Sequence, residues 1–296
     1  DGSDEGNAIF VNDIQLKSDS AVLEFGSDLD VSVTHNADKG LTLNSKDISG
    51  VTSINEGQIG GSRNYIYNGD TSVCQRATSV SGLGNGDTGY KVQDRYKFAE
   101  GGAPNAEVTM SRATEVPDGF QYSMKFDCTT ASGTVSAADA IYFSQLFEGQ
   151  DLHAWKKGTS GALPITLSFW VNATKTGTYV CSMYDADNGR QNSQAYAVSS
   201  SNTWEYKSVT FPGDTTGAFD RDNNVSLYVH WALVAGTDWT SGTLQEAWAS
   251  STTANIFVGQ VDALDNTSNN YHLTGIQLEL GETATAFQNE TYGVFL

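Results

Sequence analysis

Two loops hold the residues best suited to chemistry. The first is Tyr184-Asp-Ala-Asp-Asn-Gly-Arg190, which sets Asp185, Asp187 and Asn188 close together after a strand-like run. Hard oxygen ligands at near-alternate positions suit Ca²⁺, although the distal glutamate and flanking helices of a calcium-binding helix-loop-helix are missing. A plain surface hairpin accounts for the same residues. The second loop, Ala235 to Ser251, is too long for a tight turn and carries Trp239 and Trp248 among small polar residues. Apolar C–H faces of sugar rings stack on aromatic rings, and carboxylate or amide groups satisfy sugar hydroxyls. Trp239, Trp248, Asp238 and Gln245 are therefore the candidate carbohydrate contacts. The alternative is that one or both tryptophans staple the loop to its own domain or meet a neighbouring subunit.

No pattern of an activated nucleophile is present. The chain has no Gly-x-Ser-x-Gly elbow, no phosphate-binding glycine loop and no His-Glu-x-x-His. His35, His153, His230 and His272 are scattered, without zinc-ligand neighbours at local spacing. His230 falls out of phase with Val229 and Trp231, on the outward side of its strand. Carboxylates are too abundant for any pair to stand out as a hydrolytic couple, so no catalytic residue and no enzyme activity are expected. Cys74, Cys128 and Cys181 lie far apart and suit neither a metal set nor a disulfide framework; Cys128 and Cys181 read as small core residues. A formal charge of −19 argues against nucleic acid and anionic membrane surfaces as partners. No apolar run is long enough to predict a membrane-spanning helix.

The elements that would carry these loops are strands. Phe120, Tyr122, Met124, Phe126 and Cys128 alternate, as do Ile165, Leu167, Phe169 and Val171, and again Val225, Leu227, Val229, Trp231 and Leu233. Tyr179–Tyr184 is apolar on both faces, as in a central strand. Trp204/Tyr206 and Val209/Phe211 change parity, which predicts a bulge at Ser208. Ile256 and Val258 suggest a further strand. Asp151–Gly158, with a capping residue at its start and Lys-Lys-Gly at its end, predicts one short helix. Ile276, Leu278 and Leu280 alternate with Gln277 and Glu279, predicting a closing strand with one buried and one wet face; Gly281 then turns the chain so that Phe287 returns to the same core. The total is about ten strands, the number for a two-sheet jelly roll or a similar sandwich.

Residues 1–62 have a different character. Short alternations at Ile14/Leu16, Leu23/Phe25, Val31/Val33 and Leu41/Leu43 are separated by turn signals. Such strands bury too little apolar area alone to offset their ordering entropy. Three chains wound together would supply the missing neighbours, which predicts a homotrimer. Residues 45–63 read as a connector, with Gly60-Gly61 at the boundary. The first residue is Asp1, as expected of a piece of a longer chain.

Three runs carry a family resemblance: Asn64-Tyr-Ile-Tyr-Asn-Gly-Asp-Thr-Ser-Val-Cys-Gln-Arg76, Tyr90-Lys-Val-Gln-Asp-Arg-Tyr96, and Gly275-Ile-Gln-Leu-Glu-Leu-Gly-Glu-Thr-Ala-Thr-Ala-Phe287. In this order they resemble the jelly-roll heads of tail-fibre and receptor-binding proteins of tailed phages. The run Ala21–His35, with Gly40–Asn44, is similar to shaft repeats of marine cyanobacterial phages. Ala286 stands where that family usually has proline, and His272 near a position where related sandwiches often have aspartate. The resemblance implies an all-β chain, with a short-stranded stalk and connector at 1–62 and a carbohydrate-binding-like jelly-roll head at 64–296. It implies a non-catalytic virion protein that trimerises, joins other virion proteins through its N-terminal segment and attaches to a host-surface glycan. A purely structural virion protein (a capsid decoration or tail connector) and a secreted carbohydrate-binding module are the alternatives.

Overall fold

The computed structural model describes residues 63–289 in full, together with the backbone of five short strands before them. The chain divides into two compact units, Asp1–Thr52 and Ser53–Leu296. In the first, strands β1 (Val22–Phe25), β2 (Val31–Asn36) and β3 (Gly40–Asn44) form an antiparallel meander. Leu23 is the Cα partner of Val33, and Val33 of Leu43. The Ile14/Leu16 alternation lies outside the described residues, as do the side chains of the proposed trimer seam.

The second unit opens with a small hairpin, β4 (Ser53–Ile54) and β5 (Gly57–Gln58), so the division falls ahead of Gly60-Gly61. The following strands are β6 (Ser79–Leu83), β7 (Gly89–Tyr90), β8 (Tyr96–Gly101), β9 (Glu107–Ala113) and β10 (Ser123–Thr130). Next come β11 (Ala140–Glu148), β12 (Ile165–Ala173), β13 (Gly177–Asp185) and β14 (Arg190–Val198). The last are β15 (Glu205–Phe211), β16 (Val225–Ala235), β17 (Ala249–Ser250) and β18 (Asn270–Leu280). They build two antiparallel sheets, a six-stranded one in the order β15-β12-β18-β10-β9-β6 and a seven-stranded one in the order β17-β14-β13-β16-β11-β8-β7. The fold is thus an all-β, two-sheet jelly-roll sandwich. Its core forms where the inward rows meet: Phe126 stacks on Phe143 at 4.7 Å, and Phe143 on Trp231 at 5.4 Å and 5°. Each fully buried ring contributes about 1.5–3 kcal/mol of transfer free energy. Cys128 and Cys181 are buried and free, and Cys74 is half-buried and free.

Five local expectations change. The outward face of β18 is not wet: Gln277 and Glu279 are buried because residues 281–288 fold back over them. Thr285 donates from its backbone N–H and its hydroxyl to Glu279 at 2.8 and 2.7 Å, and the Gln288 N–H donates to Gln277 Oε1 at 2.7 Å. Phe287 accordingly packs on Phe120, at 5.1 Å between centroids, and is not part of the sandwich core. The segment expected as a helix forms 3₁₀ turns at Gly149–Asp151 and His153–Trp155, ended by Lys156 in the left-handed region. No bulge occurs at Ser208, since β15 pairs with β12 in unbroken register; Tyr206 lies in the outward row beside Trp170, which imitated a change of parity. Ile256 and Val258 sit in a loop after a 3₁₀ turn at Thr253–Asn255. The irregular point is instead in β18, where Gly275 has φ +61° and a Cβ would meet the Phe120 ring at 2.6 Å.

One end of the sandwich is tied by a buried ion cluster. Lys157 Nζ donates to Asp185 Oδ2 at 2.5 Å and to the carbonyls of Gly217 and Thr216 at 2.6 and 3.1 Å, and lies 3.1 Å from Asp214 Oδ2. Arg190 grips Asp214 with two hydrogen bonds of 2.7 and 3.0 Å. Burial acts to raise the Asp214 carboxyl, but hydrogen bonds from Arg190, Thr216 and Lys157 outweigh it and hold the group below its ordinary value. Two cations thus match two carboxylates. Replacing Lys157 by Met leaves both carboxylates buried with Arg190 alone, and should cost about 3–5 kcal/mol of unfolding free energy. Denaturant titration measures this, and unchanged stability would show that the cluster holds nothing.

Two histidines are kept neutral by the fold. His272, edge-on to Trp204 and 3.2 Å from Ser123 Oγ, is pushed down to about 4 by burial and then by Lys125. His230, 2.6 Å from Ser144 Oγ, is pushed to about 4 by burial and then by Lys97. Between pH 6.5 and about 4 the unfolded chain therefore binds more protons than the native one. Their contribution is fully present above pH 6.5 and is lost as pH falls through that window, about 1–3 kcal/mol per histidine. Melting curves should fall below pH 6.5, with a shallower slope in a His230→Gln/His272→Gln protein; equal slopes would refute the assignment.

Candidate functional site

The calcium reading of the β13–β14 turn meets the ion cluster. Asp185 faces the Lys157 ammonium, so a cation of the protein itself already occupies its inner side. Asn188 turns its amide nitrogen to Asp185, at 3.2 and 3.0 Å from the two oxygens, and thus presents a donor where a metal would need an acceptor. Asp187 points elsewhere and accepts from the Asp220 N–H at 2.9 Å. The three side chains do not converge as a ligand set. Among the described residues no group of three or more His, Cys, Asp or Glu side chains is placed to hold a metal ion.

The tryptophan loop is stapled down at several points. Its start forms a single helical turn, α1 (Thr237–Thr240). Asp238 is exposed there. Trp239 stacks on Phe257 at 5.9 Å and 22°, and its ring N–H donates to the Ala138 carbonyl at 3.0 Å. Trp248 is half-buried and packs against the main core: its ring N–H donates to Pro212 O at 2.8 Å and its ring lies 5.4 Å from Lys157 Nζ. Gln245 spends its amide on the carbonyls of Gln191 and Ala249, at 2.9 and 3.0 Å. The two tryptophans therefore sit in separate packing clusters, and the ring N–H groups of both tryptophans and the side-chain NH2 of Gln245 are engaged within the protein.

The loop nevertheless marks out a surface. Its apolar residues Trp239, Leu244, Ile256 and Phe257 cover Val180, Ala232 and part of Tyr142, all on the outward side of the seven-stranded sheet. The rest of that side is left open, and there the outward positions of β11, β13 and β16 meet. Cross-strand pairing aligns Tyr184 with Tyr228 and Ser182 with His230, and on the other flank Leu146 with Tyr228 and Ser144 with His230. The rings form one strip: Tyr142 edge-on to His230 at 5.3 Å, His230 stacked on Tyr228 at 5.6 Å and 21°, and Tyr228 beside Tyr184 at 6.1 Å. These rings are half-buried, and the hydroxyls of Tyr184 and Tyr228 make no hydrogen bond within the described residues. Lys97 lies next to Ser144 at the margin. A row of ring faces bordered by free hydroxyls, an uncharged imidazole and an ammonium can stack and hydrogen-bond a polar, ring-shaped ligand. The strip was missed in the sequence, although the signal was present: the outward phase of the Val225–Leu233 alternation carries Tyr228 and His230.

No protein-family model matches the chain, and no curated protein matches it. Solved structures that it resembles include the enzymatically active domain of bacteriophage CBA120 tailspike protein 4, at 14% identity and a TM-score of 0.34; the match covers 68% of this chain and 21% of that one. Another is the module TmCBM61 in complex with β-1,4-galactotriose, at 9% identity and a TM-score of 0.35, covering 74% of this chain and 99% of the module. A third is the family 11 carbohydrate-binding module of a cellulosomal cellulase of Clostridium thermocellum, at 9% identity and a TM-score of 0.33, covering 68% and 94%.

Proposed function

We propose that the chain is a non-catalytic glycan-binding protein of a virion fibre, with the open half of the seven-stranded sheet as its sugar surface. The strip Tyr142–His230–Tyr228–Tyr184 carries this reading. Stacked rings with unspent hydroxyls on a rigid sheet favour ligands that present alternating C–H faces and hydroxyls, and carbohydrate is that class. Trp239, 5.9 Å from Tyr142, borders the strip from the covering loop, so part of the tryptophan loop contributes as a rim. The fibre assignment rests on the three ordered runs that resemble phage receptor-binding heads. A stalk of short strands fits it: three chains would repeat a weak sugar site and multiply its avidity.

Two measurements test the reading. On a glycan array the full chain should bind surface polysaccharides without releasing reducing ends. Tyr228→Ala and Tyr184→Ala should each weaken the strongest hit by about 1–3 kcal/mol, roughly 5- to 150-fold, with the melting temperature preserved. Binding unchanged in the double variant would remove the sheet face, and steady release of reducing ends would make the protein an enzyme. In sedimentation the full chain should run as a trimer that Leu43→Asp dissociates; a monomer at micromolar concentration would end the stalk reading.

A further inference from the structure

A second surface lies away from the tyrosine strip. Residues 67–76 and 90–95, from the two N-terminal runs of the jelly-roll unit, line one cleft of about 450 Å³. That volume is within the range of small-ligand sites. Tyr67 forms its inner wall, with Phe147 stacked on one face at 6.3 Å and the Arg95 guanidinium over its ring at 4.6 Å. The phenol donates to Asp151 at 2.8 Å; burial and then that bond push its pKa up to about 12, so it stays protonated. Across the cleft the Arg76 guanidinium lies 5.6 Å from the ring centre of Tyr90, which is 39% exposed, and bonds to Asp94 at 2.8 Å.

Arg95 is the telling residue. Its φ is +73°, a region that L side chains rarely adopt and that favours Gly or Asn. The surroundings impose it. Asn68, itself at φ +56°, donates its amide to the carbonyls of Val73 and Asp94 at 3.0 and 3.1 Å, and the Asp94 N–H donates to Val73 O at 3.0 Å. On the other side Tyr96 is fully buried. Fixed between these anchors, Arg95 is exposed in the cleft, and its guanidinium makes no hydrogen bond within the described residues. A guanidinium held in a cleft with five unspent donors is suited to receive an anionic group. The composition makes the placement more pointed: the chain has 16 basic residues against 35 acidic ones, yet the cleft gathers two arginines around one aspartate.

We propose that this cleft binds an acidic saccharide, with the sugar carboxylate received by Arg95 and the neighbouring Arg76. A planar guanidinium matches a carboxylate with two parallel hydrogen bonds. The exposed Tyr90 ring offers a stacking face for the sugar, and Gln75, also exposed, can serve its hydroxyls. The proposal goes beyond the sheet-face reading and does not depend on it.

Calorimetric titration of the full chain with trigalacturonate tests it, using the fully methyl-esterified trisaccharide and a sulfated trigalactose as controls. The free acid should bind at least 10-fold more tightly than the ester and than the sulfated sugar. Arg95→Gln should reduce that binding at least 10-fold with only a small change in melting temperature, since the one contact its guanidinium makes among the described residues is with the Tyr67 ring, and Arg95→Lys should restore part of it. Tyr184→Ala/Tyr228→Ala should retain it, which separates this cleft from the sheet face. The proposal is overturned if acid and ester bind alike, if the sulfated sugar is preferred, if no binding is seen, or if Arg95→Gln binds as the parent does.

Discussion

One ammonium group decides how the end of the sandwich is built. Lys157 enters from the 3₁₀ segment after β11 and satisfies Asp185 on β13, Asp214 after β15 and two carbonyls of the following loop, while its charge rests against the rings of Phe219 and Trp248. Four chain segments that have no sheet hydrogen bonds in common thus converge on one atom. Charges removed from water are tolerated only when paired and hydrogen-bonded, and this geometry provides both. The same cluster explains why a loop rich in aspartate and asparagine is not arranged as a metal loop, and why one of the two loop tryptophans packs against the core.

From that anchored end the seven-stranded sheet presents two unlike faces. Strand alternation places Trp231, Phe143 and Met183 inward and Tyr228, Ser144 and Tyr184 outward. A second, small cluster under the 236–257 loop buries the upper part of the outward face. What is left open is rigid, because every ring stands on a strand paired on both sides. Rigidity lowers the entropy lost on binding, which lets a weakly held ligand such as a sugar find a preformed surface. The cleft beside β7 and β8 is held differently, by side-chain amides and a strained turn, and its chemistry is charged where the sheet face is neutral. Under the two proposed readings, the surfaces would receive different features of a polysaccharide.

The sequence by itself determined the all-β class, the sandwich and most strands of its core. Ile165, Leu167, Phe169 and Val171, or Leu227, Val229, Trp231 and Leu233, have a period of two that only a half-buried strand satisfies. It also placed His230 on the outward side. Tertiary structure alone decided what lies over each outward face, because a period of two separates the faces without saying what covers them. Gln277 and Glu279 read as wet until the returning chain at 281–288 covers them. The donor set at Asp185, Asp187 and Asn188 reads as a cation loop until Lys157, distant in sequence, arrives as the cation. Tyr142, Tyr184 and Tyr228, or Arg76 and Arg95, become neighbours only through strand register and the pinning of a turn. Those pairings join residues far apart along the chain, and local spacing carries no trace of such distances.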